Sequence, residues 1–400
     1  MKKNIPTNLP LEELRILDLT TVVMGPFATQ ILGDLGAEVI KIEEPKGDMT
    51  RVVGPSRNKN MSSMFLGTNR NKKSITINLK NNIGKEALKR LIKTADIFIH
   101  NIRPQKIALL GFDPNSVLKI NPKIIYAGLH GYGENGPYGG MPAYDDVIQG
   151  QSGLAGAFVS RDNEPNLVPS VVADKSIGLM AGNGLLAAYI NRLKTGKGSY
   201  IEIAMFEGMV SYVLLEHQYA STFNPSMGKE GYPRVLSSYR KPYKTADGYI
   251  CMLAYTDKQW INFWKAINKE AFIKDTRYNS AASRSKNIDI LYAKVSDILQ
   301  TKTSKEWLKI LKNAEIPSGA VNSLEDLKSD PHLVKTGFFR NYNHPSEGSL
   351  NIPDTAFKID RKSLPIRYPQ PKLGEHSLEI LSEAGFDENE IKKIMKKKSI

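Results

Sequence analysis

The chain has 400 residues, 41 % apolar and 24 % charged, a globular composition that supports a buried core and argues against wholesale disorder. Its length exceeds one ordinary compact domain and calls for two or three, or for one large domain carrying an insertion. The net charge of +14 points to an anionic partner: nucleic acid, a phosphate-bearing cofactor or an acidic substrate. The single cysteine, Cys251, excludes an intramolecular disulfide or a multi-cysteine zinc site and fits a reducing compartment.

The elements follow in chain order. Met1 to Leu14 carries Lys2 and Lys3 but is broken by Pro6 and Pro10 and has no apolar signal core. Arg15 to Thr20 reads as a buried strand, followed by a Gly25-Pro26 break, a helix from Phe27 to Leu35 and a second strand from Glu38 to Glu43. That βαβ unit favours a parallel sheet. Ser74 to Leu79, Asp96 to His100, Lys123 to Leu129 and Tyr200 to Ala204 are further strands; Lys85 to Lys93 and Met205 to Tyr219 are helices. Arg103-Pro104 opens a short helix with proline in its first turn. Gly131 to Gly156, rich in glycine, reads as one long loop of the kind that carries function. A helix then runs from near Asp174 to Lys194, stopped by Gly196 and Gly198; its longest apolar stretch, Leu185 to Ile190, is far below the roughly 18 residues of a membrane span. A cytoplasmic protein with no membrane partner is expected.

After residue 222 the character changes. Thr222 to Pro233 reads as a linker, and Tyr243 to Leu253 as a hairpin about Asp247-Gly248. Helices are expected at Trp260–Ile267, Ile288–Leu299 and Lys305–Leu311, the last with a Thr303/Glu306 capping box. All three tryptophans (Trp260, Trp264, Trp307) fall here and imply a separate small core. The predicted division is 1–224, 225–325 and 326–400. The last part holds a strand near Gly348 to Ile352, a helix from Ser377 to Ala384 and a lysine-rich end at Lys392 to Lys398.

Motif chemistry narrows the possibilities. The first turn, Met24 to Phe27, lacks the G-x-G-x-x-G that lets backbone approach a pyrophosphate, which removes the dinucleotide reading of Glu43 and Glu44. The six histidines have no metal-ligand spacing, so no metal is expected. Serine-nucleophile spacing is absent as well. Asp174 opens a helix rich in small residues (Gly178, Ala181, Gly182, Gly184). The ordinary role for such an aspartate is an N-cap. The chemical one is an ionised carboxylate acting as nucleophile on an activated acyl group. Lys72, Lys73, Lys80 and Arg103 lie near the ends of predicted strands, where ligands bind in open α/β sheets. Lysines spread along the chain and an aromatic content of only 8 % rank nucleic acid last among the partners.

Seven segments in order give a more specific reading: Ile16 to Arg51, Asn69 to Lys80, Ala95 to Gln105, Gly131 to Pro137, Ala143 to Leu154, Ala173 to Gly198, and a tail set of Ile316 to Val321, Asp330 to Leu333 and Leu373 to Ser377. Together they resemble the class III CoA-transferases, the family of formyl-CoA transferase, carnitine CoA-transferase and α-methylacyl-CoA racemase. The resemblance implies an α/β fold: a Rossmann-like large domain with an inserted smaller α+β domain, in an interlocked homodimer. It implies coenzyme A, brought as an acyl-CoA co-substrate, and a small carboxylic acid. Asp174 matches the family's nucleophile, which attacks the thioester and forms an aspartyl–CoA intermediate, and Asp145 matches a neighbouring carboxylate. Val22, Val23, Met24 and Gly25 match the first-strand loop beside the active site. Ile77, Asn78, Leu79, Lys80, Asn101 and Ile102 match segments lining the CoA site. Two arginines common in the family are replaced by Glu44 and Leu109, which assigns the CoA phosphates to Lys72, Lys73, Lys80 or Arg103. A glutamine of formyl-CoA transferase is Val23 here, against oxalate or formate as substrate. The racemases' base histidine is Tyr144, which favours transfer over α-proton exchange because an ordinary tyrosine is a poor base at neutral pH.

Overall fold

A computed structural model describes residues 8–396. Its contacts divide the chain into two compact units, one from the N-terminal side to Ser152 with Val168–Ser211 and Gly337 onward, the other Gly153–Leu167 with Tyr212–Thr336. The predicted borders at 224/225 and 325/326 differ from these. The Pro- and Gly-containing stretch 222–233 is irregular, but it lies inside the second unit rather than at its edge. The lysine-rich end expected to Lys398 runs beyond the described residues, as do the first seven residues of the N-terminal stretch.

The first unit is built on six parallel strands: β1 (Arg15–Leu19), β2 (Glu38–Glu43), β3 (Lys72–Thr76), β4 (Ile97–His100), β5 (Ile125–His130) and β6 (Ser199–Ala204). Their order is β3-β2-β1-β4-β5-β6, and every neighbouring pair is parallel. This is the doubly wound order, in which the chain reverses direction between β1 and β4 and leaves a crevice beyond their carboxyl ends. Strands β1 to β5 are almost wholly buried, as strands covered on both faces should be, and β1, β4 and β5 are largely apolar, whereas β2 and β3 carry charged residues. Leu17, Leu19, Ile40, Ile42, Ile75 and Phe98 pack with Leu88, Leu91 and Ile92 of the helix Asn82–Ile92. Ile380 and Leu381 of the C-terminal helix Ser377–Glu383 join the same core, so the last segment completes the first unit.

Two local expectations change. The first helix begins at Met24, because Pro26 falls in the opening turn, where its missing N–H has no intrahelical acceptor to lose. The stretch 131–156 contains a helix, Asp145–Gln151, which carries two aspartates in its first turn and tolerates Gly150.

The second unit has a three-stranded antiparallel sheet of β7 (Tyr243–Lys244), β8 (Tyr249–Met252) and β9 (Ser318–Ala320). Trp260, Trp264 and Trp307 meet Leu291, Tyr292 and Val295 in one core, and the Thr303/Glu306 capping box is formed. In the first unit, β10 (Phe339–His344) pairs with β11 (Gly348–Pro353). Among the described residues no helix is long and apolar enough to cross a membrane.

Charged groups occupy the interior of the sheet. Asp18 on β1 meets Lys72 on β3 at 3.1 Å, Lys41 on β2 meets Asp48 at 2.8 Å, and Glu43 on β2 meets Arg51 at 2.7 Å. All six side chains are essentially inaccessible. Burial alone would raise the Asp18 carboxyl, but Lys72, Lys41 and the hydroxyls of Thr20 and Thr29 bring it down to about 2. Removing one partner strands a charge, so Lys72→Met should cost about 3–5 kcal/mol in the urea unfolding midpoint at pH 7. Because Asp18 titrates lower in the fold than in the unfolded chain, its contribution of about 2 kcal/mol is present above pH 4 and is lost as the pH falls toward 2. A midpoint flat across that window would contradict the pairing.

Candidate functional site

The site is assembled from segments that leave the carboxyl ends of the strands. Beyond β1, Asp18 accepts the backbone N–H of Thr20 at 2.9 Å, and Lys41 donates to the Thr20 carbonyl at 2.9 Å. Asn101, just past β4, clamps Thr21 by accepting its N–H at 3.0 Å and donating to its carbonyl at 2.9 Å. Between these anchors Val22 has φ +72°, a left-handed conformation that a β-branched residue adopts only under constraint. Its N–H points to Asp48 at 3.3 Å. A side chain at Gly25 would meet Thr20 at 2.3 Å, so the tight return of the chain into the helix requires glycine.

Asp174 is the third residue of the helix Val172–Thr195, not its N-cap, which is Val171. Its N–H donates to Asp145 Oδ1 at 2.9 Å, while Asp145 Oδ2 accepts from Gln149 at 2.6 Å. Gln149 also accepts the Val168 N–H at 2.9 Å and donates to the Ser170 carbonyl at 3.2 Å, fixing the approach to the Asp174 helix. Where this helix crosses the first one, a Cβ on Gly178 would lie 2.8 Å from the Met24 carbonyl oxygen. That close approach brings Asp174 to the opening turn of the first helix, where Met24 gives its carboxylate a backbone hydrogen bond. Asp174 is only 8 % exposed. Burial and the neighbouring Asp145 charge push its carboxyl up to about 6, outweighing the Met24 hydrogen bond that favours the anion.

Two cavities open on this crevice. One, of about 240 Å³, is lined by Asp174, Val22, Met24, Asn101, Arg103 and Tyr144, all predicted site residues. The other, of about 350 Å³, is lined by Ile77, Asn78, Leu79, Lys80 and Ile102. Thr21 and Met49 line both, so one extended ligand can reach from one to the other. Val23 and Gly25 are buried and line neither cavity, and Asp145 stands behind Asp174.

Lys72 and Lys73 are corrections. All three Lys72 ammonium hydrogens are engaged, by Asp18 at 3.1 Å, the Pro26 carbonyl at 2.9 Å and Asn69 at 3.0 Å, and the side chain is fully buried. Lys73 pairs with Glu38 at 3.0 Å and Glu379 at 2.7 Å. Neither can reach a phosphate, so Lys80 is the one cation lining the larger cavity among the described residues, opposite Glu43, Glu44 and Asp48. Sequence reasoning missed Thr21, Met49, His130, Tyr132, Met141 and Met205. Thr21, His130, Tyr132 and Met205 stand at or just beyond the ends of β1, β5 and β6, and that position was the available signal. Among the described residues no group of three or more His, Cys, Asp or Glu side chains could hold a metal ion.

Two stability outcomes follow from this geometry. Asp174 has a higher pKa folded than unfolded, so its ionisation opposes folding as the pH rises through 6. Asp174→Asn should therefore stabilise the protein by about 1–3 kcal/mol at pH 8, with the gain vanishing near pH 4. Equal urea midpoints at pH 8 would refute that environment. Gly178→Val should destabilise by about 1–3 kcal/mol through the clash with Met24, read in the same assay.

A family model described as CoA-transferase family III matches residues 11–377. The chain is 34 % identical to the succinyl-CoA:glutarate CoA-transferase of Mus musculus, covering 96 % of this chain and 89 % of that protein. It is 32 % identical to a formyl-CoA:oxalate CoA-transferase of Rhodopseudomonas palustris, over 96 % of each. A crystal structure of a CAIB/BAIF family protein from Brucella suis superposes with a TM-score of 0.78 at 28 % identity, covering 94 % of this chain and all of that one.

Proposed function

The chain belongs to CoA-transferase family III, and from that premise we propose that it moves CoA between an acyl-CoA thioester and a free carboxylic acid through a covalent adduct on Asp174. The observation that carries this reading is one carboxylate, in the first turn of its helix, on the wall of a cavity that joins a second cavity at Thr21 and Met49. The larger cavity accepts the CoA body against Ile77 to Lys80 and Ile102, and the smaller one holds the thioester and the acid.

An Asp174 oxygen attacks the thioester carbon, the C–S bond breaks and CoA leaves as thiolate. The thiolate attacks the aspartyl carbonyl of the resulting anhydride, releasing the first acid as its carboxylate and leaving an aspartyl–CoA thioester. The acceptor carboxylate attacks that thioester and expels the thiolate, which takes the acyl group from the new anhydride and restores the Asp174 carboxylate. No proton is gained or lost over the cycle, so the site needs an ionised nucleophile rather than an acid–base pair. Asp145 acts as a positioning residue: it holds the Asp174 backbone and raises the basicity of its carboxylate. The Tyr144 hydroxyl can donate to the tetrahedral oxyanion. We extend the family's interlocked homodimer to this chain on the strength of its sequence resemblance.

Asp174→Ala should lower CoA exchange by at least about a thousandfold while CoA still binds. Intact-protein mass spectrometry of the wild type quenched with acyl-CoA should find CoA attached at Asp174, and the variant should lack it. Normal turnover in the variant would end the mechanism. Wild-type activity should fall about tenfold from pH 7 to pH 5 as Asp174 protonates.

A further inference from the structure

The transfer cycle neither takes up nor releases a proton, yet the cavity that holds Asp174 carries an unused base on its wall. His130, the last residue of β5, lines that cavity and is only 6 % exposed. Its Nε2 lies 2.9 Å from Glu134 Oε1. The same oxygen accepts the Tyr200 hydroxyl at 2.6 Å, so Glu134 is the acceptor for both and the imidazole proton belongs on Nε2. Nδ1 then carries the free lone pair, and nothing among the described residues hydrogen-bonds to it. Gly128 makes room for the ring: a Cβ there would lie 2.5 Å from His130 Nε2. The loop bearing Glu134 is tied down as well, since the Glu134 N–H donates to Glu202 of β6 at 2.5 Å and the Gly133 N–H to Glu207 at 2.9 Å.

His100, with its ring centre 5.8 Å from that of His130, provides the contrast. Its Nδ1 accepts the Ile102 N–H at 3.2 Å and its Nε2 meets the Tyr126 hydroxyl at 2.7 Å, so both nitrogens serve the fold. Burial holds the His130 imidazole below the ordinary histidine value, with Glu134 and Glu202 opposing, which leaves it neutral and able to take a proton at pH 7. In a cavity that holds thioesters, the protic partner that needs no binding site of its own is water. We infer that His130 activates water against the aspartyl–CoA thioester, giving the enzyme a second, acceptor-independent activity as an acyl-CoA hydrolase. The inference rests on the covalent transfer reading above. The water oxygen bonds to the aspartyl carbonyl carbon while one of its protons passes to His130 Nδ1. The C–S bond then breaks, the CoA thiolate takes that proton from Nδ1, and the restored Asp174 carboxyl loses its own to solvent. In sum, acyl-CoA and water give a carboxylate, CoA thiol and one proton. An acceptor acid in the cavity displaces the water, so hydrolysis competes with transfer and emerges when the acceptor is absent.

Water enriched in the heavy oxygen isotope reads this step directly. Transfer exchanges Asp174 oxygens only with those of acids, whereas hydrolysis of the adduct writes a solvent oxygen into Asp174. The full chain, incubated in such water with acetyl-CoA or butyryl-CoA and no acceptor, should release CoA thiol and gain label in the peptide containing Asp174. His130→Gln should let the CoA adduct on Asp174 persist at least about tenfold longer. His130→Ala should do the same, and added imidazole should shorten that lifetime again, which a purely structural role would not allow. The inference is overturned, and transfer stands, if CoA attaches to Asp174 but no solvent oxygen follows it there. It is overturned equally if the adduct on His130→Ala decays as fast as on the wild type or ignores imidazole. CoA release that depends on His130 without any adduct on Asp174 would end the covalent transfer reading and leave His130 as the base for water attacking acyl-CoA itself. If neither thioester yields adduct or free CoA, both readings fail.

Discussion

Three ion pairs sealed inside the sheet hold the rest of the first unit's functional end in place. Taking six charges out of water is costly, and apolar residues of similar volume would often stabilise a fold as well or better. Every one of these groups is therefore tied to backbone as well as to its partner or a neighbour. Lys72 reaches the Pro26 carbonyl, Lys41 the Thr20 carbonyl, and Arg51 the Pro371 carbonyl of the C-terminal segment. Asp48 receives the N–H groups of Val22 and Thr50. The charges thus fix three turns at the strand ends, including the strained Val22 and the start of the helix that meets Asp174. A hydrophobic replacement could fill the same volume, but it could not hold those carbonyls and amides.

Much of this was legible from the chain. Strand β2 was read with its observed limits, because an apolar run ended by Pro45 leaves little freedom. The three tryptophans marked a core that formed as read. Lys72 and Lys73 were not legible in the same way. Adjacent strand residues point to opposite faces, and lysine is so rarely buried that composition favours solvent or ligand for both. Only the register of β3 against β2, with Lys73 opposite Ile40, and the acids across the sheet decide otherwise. Asp174 read as an N-cap because a cap and a first-turn residue differ by a few positions that only the backbone resolves.

The +14 charge takes on a narrower meaning in the structure. Lys41, Arg51 and Lys72 are spent on internal carboxylates, and Lys73 is paired with the partly exposed Glu38 and Glu379, so all four are largely neutralised by their partners. The larger cavity is lined by Lys80 against Glu43, Glu44 and Asp48, and the carboxylates of Glu43 and Asp48 are already engaged by Arg51 and Lys41. Net charge therefore predicts little about this crevice.

Opposing influences on Asp174 explain why so much internal rigidity is needed. The helix N-terminus and the Met24 amide favour its anion, as in any anion site of this kind. Burial and the fixed charge of Asp145 oppose it, and they win, which leaves the carboxyl at about 6. A carboxylate stabilised further would be a weaker nucleophile, and one destabilised further would be protonated at neutral pH. This balance leaves Asp174 largely ionised at neutral pH, but only while Asp145 and Met24 stay where they are. Repulsion between two neighbouring aspartates would otherwise relax by moving one of them away. The Gly178 contact, the Gln149 bridge and the ion pairs beneath Val22 prevent that relaxation, so stability stored in the sheet maintains the strained charge arrangement at its edge.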